Sequence, residues 1–216
     1  MDYIEFGSQY GAWDLHDFDN MCRAAELTGL STMIKIDRHP KDWIAQRAIA
    51  AGFDSILFAD VMTAEEAKEC IQAVKLPPEG VSGYVGTRGI RGGNYAEKID
   101  NIVIALMIEK KTLMGQLEDV LAIDGIDMIQ FGPTDYGLSL RTPGKPYNAR
   151  DFADKIKVDR DKAYEMANKA GVRPRAECGS AEECQYYIER GVRDFCIGWD
   201  TSTVAGWCIQ HGKKLR

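Results

Sequence analysis

Ile123-Asp124-Gly125-Ile126-Asp127-Met128-Ile129-Gln130-Phe131-Gly132-Pro133-Thr134-Asp135 spans the end of one helix, a buried strand and the turn that follows it. Gly125 sits where a helix closes its last turn in the left-handed conformation, which glycine takes without a steric penalty. Met128–Phe131 then runs through four residues with hardly a polar break. Strands covered by helices on the outer face and by their own barrel on the inner face read this way. The same order recurs along the chain. Leu27-Thr28-Gly29 precedes Ser31–Ile36, and Ala50-Ala51-Gly52 precedes Ser55–Ala59. Lys169-Ala170-Gly171 precedes Val172–Glu177, and Glu189-Arg190-Gly191 precedes Phe195–Gly198.

Regular alternation of strand and helix implies parallel pairing. Seven strands are expected, at Tyr3–Phe6, Thr32–Ile36, Ser55–Ala59, Val103–Glu109, Met128–Phe131, Arg173–Glu177 and Phe195–Gly198. The expected fold is an α/β (β/α)8 TIM-type barrel in a single domain over 1–216, lacking its first βα unit. A doubly wound open sheet is the rival, and it requires a reversal of strand order. Between the strands the helices are amphipathic. Residues 63–74 set Ala64, Ala67, Ile71 and Val74 on one face, and Thr63 with Glu66 has the spacing of a capping box. Two long loops interrupt the rhythm, Leu76–Ala96 and Arg141–Phe152, and long loops near strand ends carry function more often than packing.

The composition excludes several classes. Of 216 residues, 45% are hydrophobic and 28% charged, with a net charge of −6, which argues against nucleic acid as a partner. The basic tail Lys213-Lys214-Leu215-Arg216 reads as a solvated terminus. Cys22, Cys70, Cys178, Cys184, Cys196 and Cys208 form no CxxC pair, so they read as reduced, mostly buried thiols rather than a zinc site. No apolar run is long enough to span a bilayer, and no basic, apolar leader opens the chain. A cytoplasmic protein with no membrane partner is expected.

Acidic residues at strand ends carry the sharpest chemical signal. Ala105-Leu106-Met107-Ile108 runs apolar and stops at Glu109; Ile129-Gln130-Phe131 stops at a Gly-Pro turn and then Asp135. In a barrel both ends open on one face, where two hard carboxylates suit Mg²⁺ or Mn²⁺ better than zinc. The alternative is structural: a helix cap, or a pair with Lys110 or Lys111. Backbone N–H groups of the Gly132-Pro133-Thr134-Asp135 turn, near a helix start, can cradle a carboxylate or phosphate, and Arg88 in the glycine-rich loop can reach the same anion. Lys35, near the end of a buried strand, either faces a substrate or snorkels to the rim. Glu177 is a possible third acid at the mouth, and Asp200 reads as a helix cap. His16 lies in a run of acids, where an Asp/His metal site at 14–19 is one reading and an exposed helix start with Asp17 or Asp19 as its cap is the more natural one.

Ile108-Glu109, Gly125-Ile126-Asp127-Met128 and Phe131-Gly132-Pro133-Thr134-Asp135 resemble the signature of the HpcH/HpaI aldolases. Ala24-Ala25-Glu26, Pro77-Pro78-Glu79-Gly80 and Gly198-Trp199-Asp200-Thr201 agree in order and spacing. The resemblance implies a divalent-metal-dependent class II pyruvate aldolase (a carbon–carbon lyase) acting on 4-hydroxy-2-oxo acids. It implies Glu109 and Asp135 as ligands of Mg²⁺ or Mn²⁺, with Co²⁺ as a further option. It also implies pyruvate-like binding at Gly132, Pro133, Thr134 and Met107. A homo-oligomer, dimer to hexamer, follows from the family's habit of exchanging C-terminal helices. Three positions depart from the family pattern. Tyr10 stands where the family has its His base, Lys35 where it has an Arg, and Met107 where it has a Gln. Tyr10 and Lys35 therefore become the catalytic candidates. Another metal-enolate enzyme, such as a decarboxylase or tautomerase, and a non-catalytic 2-oxo-acid binder are the alternatives.

Overall fold

Every glycine placed behind a helix by this reading stands at positive φ: Gly29 at 69°, Gly52 at 109°, Gly125 at 93°, Gly171 at 78° and Gly191 at 85°. The Gly29 N–H donates back to the carbonyls of Ala25 and Glu26, so the last turn closes on the glycine itself. A Cβ on Gly29 would meet nothing within 4 Å, which leaves the backbone as the whole effect. Gly29→Ala is therefore expected to lower the unfolding free energy by about 1 kcal/mol in urea denaturation, with Gly29→Asn closer to wild type.

The computed structural model describes residues 2–86 and 94–213. Its elements follow in order: β1 (Tyr3–Gly7), α1 (Leu15–Thr28), β2 (Ser31–Ile36), α2 (Lys41–Ala51), β3 (Ser55–Phe58), α3 (Ala64–Val74), α4 (Tyr95–Asp100) and β4 (Val103–Ile108). Then come α5 (Lys111–Met114), α6 (Leu117–Leu121), β5 (Met128–Phe131), α7 (Pro133–Ser139), α8 (Ala153–Ala170), β6 (Arg173–Cys178), α9 (Ala181–Ile188), β7 (Asp194–Ile197) and α10 (Asp200–Gly212). All strand neighbours are parallel and the order runs β1 to β7 without reversal. That order rules out the doubly wound sheet and leaves a nearly closed TIM-type barrel. Across its interior the first and last strands approach, where the Tyr3 hydroxyl donates to the Phe195 carbonyl at 3.2 Å.

The two faces of the sheet bury two separate clusters. Ile34, Ile56, Phe58, Ile104, Leu106, Ile108, Ile129 and Phe131 point outward into the helices. Met33, Leu57, Ala59, Ala105, Met107 and Met128 pack inside the barrel, with Tyr3 against them. Because both faces are dry, the strands read as continuous apolar runs. The barrel interior is not wholly apolar, however: Lys35, Gln130 and Arg175 are buried on the same face.

Local details correct three expectations. Asp14, not Asp17 or Asp19, caps α1; its carboxylate accepts from the His16 and Asp17 N–H groups, and Asp17 returns the bond to Asp14. At α3 only half of a capping box forms, since Thr63 accepts from the Glu66 N–H while Glu66 turns to the Met62 N–H and to Arg38. Trp199 holds the cap position of α10, and Asp200 is the first helical residue. The second long loop closes in a 3-10 turn at Ala149–Phe152. Arg88, Arg91 and the tail beyond Lys213 lie outside the described residues. Among the described residues no helix is long and apolar enough to cross a membrane.

Candidate active site at the carboxyl mouth of the barrel

Glu109 follows β4 directly and is only 2% exposed. One of its oxygens accepts the Asp60 N–H at 2.6 Å. Its other oxygen lies against Gly132, where a Cβ would stand 2.6 Å from Glu109 Oε2 and 2.8 Å from the Met107 methyl. Glycine at 132 is thus a requirement of close approach between the β5 turn and the carboxylate. Burial pushes the Glu109 carboxyl above its ordinary range; the Asp60 N–H and Lys35 oppose this, while the charges of Asp60 and Asp135 add to it. A cation at this carboxylate would relieve that penalty.

Asp135 stands in the first turn of α7, whose first residue is Pro133 and whose cap is Gly132. Lys110 contacts Asp60 through its ammonium and reaches Asp135 at 3.5 Å. The structural pairing of Asp135 with Lys110 therefore does form, beside the carboxylate pair. Among the described residues no group of three or more His, Cys, Asp or Glu is placed to hold a metal ion by itself. The donors present are carboxylate oxygens, one buried and one partly open. That set fits an oxygen-loving divalent ion that keeps waters or substrate atoms in its remaining positions.

Across the mouth, Lys35 on β2 is buried and its ammonium donates to the Tyr10 hydroxyl at 2.6 Å. Burial works against the Lys35 charge, but Tyr10 and Glu109 outweigh it and hold the ammonium above its ordinary range. Tyr10 ends a short 3-10 turn after β1, and the buried Ser8 of that turn donates to the Lys35 carbonyl at 2.8 Å. Gly7 leaves room for the Tyr10 ring, which a Cβ would meet at 2.8 Å. The Trp199 ring stands edge-on to Tyr10, with centroids 5.3 Å apart. Trp199 also donates its indole N–H to Glu177 at 2.7 Å, and Gln130 donates to the other Glu177 oxygen at 3.4 Å.

Of the residues expected from sequence, the fold brings Glu109, Asp135 and Gly132 together, and separately Tyr10 and Lys35. Met107 lies beneath Gly132 in the interior cluster, and Pro133 and Thr134 are exposed at the rim. Sequence reasoning missed Asp60, although Ile56-Leu57-Phe58-Ala59-Asp60 is the same apolar run ending in an acid that singled out Glu109. It also missed Arg175 and Glu5. Beneath the mouth Arg175, fully buried, pairs with Glu5 at 2.5 Å, donates to the Tyr3 hydroxyl at 2.6 Å and binds Gln130.

The family model for HpcH/HpaI aldolase/citrate lyase matches residues 13–192. A hydroxypyruvate/pyruvate aldolase from Sagittula stellata is 35% identical over 106 residues, covering 47% of this chain and 42% of that protein. A 4-hydroxy-2-oxovalerate aldolase from Novosphingobium aromaticivorans is 27% identical over 212 residues, 94% of this chain and 78% of that protein. The match thus spans less than half the length of the first of these relatives. An HpcH/HpaI aldolase/citrate lyase family protein from Burkholderia cenocepacia has the same fold, with a TM-score of 0.86 at 20% identity over 100% of this chain and 86% of that one.

Proposed function

We propose that this chain, which belongs to the HpcH/HpaI aldolase/citrate lyase family, is a divalent-metal-dependent carbon–carbon lyase that cleaves 4-hydroxy-2-oxo acids to pyruvate and an aldehyde. The observation that carries the proposal is the buried Glu109 carboxylate beside Asp135, on the face of the barrel where such folds place their chemistry. Glu109 and Asp135 would hold Mg²⁺, Mn²⁺ or Co²⁺. Bound there, the ion supplies positive charge against the electrons that reach the 2-oxo group when the bond breaks. The N–H groups at the start of α7, around Thr134, suit the substrate carboxylate. Lys35 contributes a fixed ammonium, and Arg88 is the proposed second cation for the same anion.

Tyr10 moves the proton. Its oxygen accepts the proton of the C4 hydroxyl as the C3–C4 bond breaks and C4 leaves as the aldehyde, and the proton that Tyr10 gives up in exchange goes to C3 to complete pyruvate. The Lys35 ammonium, which donates to the Tyr10 oxygen at 2.6 Å, holds that oxygen in place for the exchange. The test is pyruvate release from 4-hydroxy-2-oxo acids, read through lactate dehydrogenase, with Mn²⁺ or with a chelator. Release that needs the metal is expected. Equal rates in both arms would remove the metal from the reaction. Tyr10 in place of the family His favours a second reading, a 2-oxo-acid binder without turnover, for which metal-dependent oxalate binding and no pyruvate release are the signature.

We further propose a homo-oligomer with a single barrel domain per chain. Helix α10 buries none of its residues and carries exposed Val204, Trp207 and Ile209, a surface that suits a second copy. Cys208 lies on that helix and is exposed in the single chain. Its thiol is expected to react with a disulfide reagent at least about 10-fold more slowly in the native protein than in the unfolded one. Free reaction of Cys208, with a monomer mass by light scattering, would contradict the assembly.

A further inference from the structure

Asp60 has a positive φ, 57°, and is the only non-glycine residue among the described ones that does. Left-handed backbone is unfavourable for residues with a Cβ, though Asp and Asn bear it best, and it concentrates at positions where geometry matters. Here it achieves two things at once. The main-chain N–H points at Glu109, 2.6 Å from its oxygen. The side chain contacts the Lys110 ammonium, which lies 3.5 Å from Asp135. Lys110 is largely shielded, with its side chain 16% exposed, whereas Asp135 is 47% exposed. The ammonium thus stands between two carboxylates and is drawn to the one that is not the proposed ligand.

A divalent ion on Asp135 has to displace the Lys110 ammonium from that carboxylate, which the ammonium contests by contact and by like charge. From this placement we infer that Asp60 is a positioning residue for the metal centre: it takes the larger share of the Lys110 ammonium, which meets Asp135 only in a long 3.5 Å contact, and so lets a divalent cation displace that contact. This inference rests on the metal site proposed above. Without the Asp60 carboxylate, Lys110 turns to Asp135 as its remaining partner. Without Lys110, Asp60 has nothing to hold, and its removal becomes harmless.

The experiment is Mn²⁺ titration by calorimetry on the wild type, Asp60→Asn, Lys110→Met and the double variant. Asparagine tolerates the left-handed backbone and keeps the N–H on Glu109, so only the carboxylate is lost. Asp60→Gly, which takes φ 57° freely, repeats the arm should Asp60→Asn not fold. Asp60→Asn is expected to weaken Mn²⁺ about 10-fold to 100-fold, as loss of an outer partner of a metal ligand does. Lys110→Met should bind as tightly as wild type or tighter, and the double variant should recover to within about 3-fold of Lys110→Met. Unchanged affinity in Asp60→Asn overturns the inference, as does a double variant as weak as Asp60→Asn, since Asp60 would then act by its own charge on the ion. Wild-type protein that takes up no Mn²⁺, or takes it up undiminished in Glu109→Gln, overturns the metal site itself and this inference with it.

Discussion

Glu109→Gln is expected to abolish Mn²⁺ binding and to lower kcat/KM for pyruvate release by at least about 10³-fold, because Lewis-acid stabilisation contributes several kcal/mol at the reacting oxygen. The amide keeps the shape and still accepts the Asp60 N–H, so packing against Gly132 is preserved. What disappears is the negative charge. That charge is opposed by burial in the metal-free chain, so Glu109→Gln should be at least as stable as wild type when no metal is present. Added Mn²⁺ should then stabilise the wild type and not the variant, since an ion that binds only the native state raises its stability. The two arms of one thermal-unfolding experiment therefore cross, which general misfolding would not produce. A variant that loses stability without metal, or keeps its activity, would contradict the role given to Glu109.

Arg175→Met is expected to be the most destabilising substitution outside the mouth, by about 3–5 kcal/mol in urea unfolding, the usual effect of removing one partner from a buried ion pair. Arg175 is fully buried and Glu5 nearly so. Its loss strands the Glu5 carboxylate and the Gln130 amide oxygen in the barrel interior and leaves the Tyr3 hydroxyl with its bond to the Phe195 carbonyl alone. Removing the second charge as well, in Glu5→Leu with Arg175→Met, should recover most of the loss, because two apolar side chains satisfy the interior as well as a compensated pair does. If the single and double variants are equally unstable, packing volume rather than charge governs the site.

The fold was legible where its causes are local. Gly29, Gly52 and Gly171 close α1, α2 and α8 in left-handed backbone and Gly191 follows α9 closely, whereas α6 stops at Ala122 in right-handed backbone and Gly125 takes its positive φ in the turn beyond it. Gly132 was legible as part of a motif, but its reason, the oxygen of Glu109 lying where a Cβ would be, belongs to two strands at once. Long-range pairs left weaker traces. Arg175 lies on a strand expected from sequence, and its partner Glu5 is likewise at an inward position on β1. No neighbouring residue shows that the two meet, because the meeting depends on the sheet curling until β1 faces β6 and β7. Asp60 shows the opposite case. Its run was as clear as that of Glu109, and only its place in the contact with Lys110 required the fold.

The pairing of Tyr10 with Lys35 sharpens the reading of the departures from the family pattern. As separate substitutions they look like losses: a base replaced by a weak acid, and a two-pronged guanidinium replaced by a point charge. In the structure they are one hydrogen-bonded pair, 2.6 Å apart, with Trp199 against the tyrosine ring. Tyr10 and Lys35 therefore stand as one unit on the side of the mouth that faces Glu109.

The central claim is that Glu109 and Asp135 hold a divalent ion to which a pyruvate-like acid binds. Anomalous diffraction from crystals of this protein soaked with Mn²⁺ and oxalate tests it most directly. A manganese peak within bonding distance of both Glu109 and Asp135, with oxalate bridging from the metal toward the start of α7, is the predicted result. Manganese absent from these two carboxylates, or bound elsewhere in a fully soaked crystal, would contradict it.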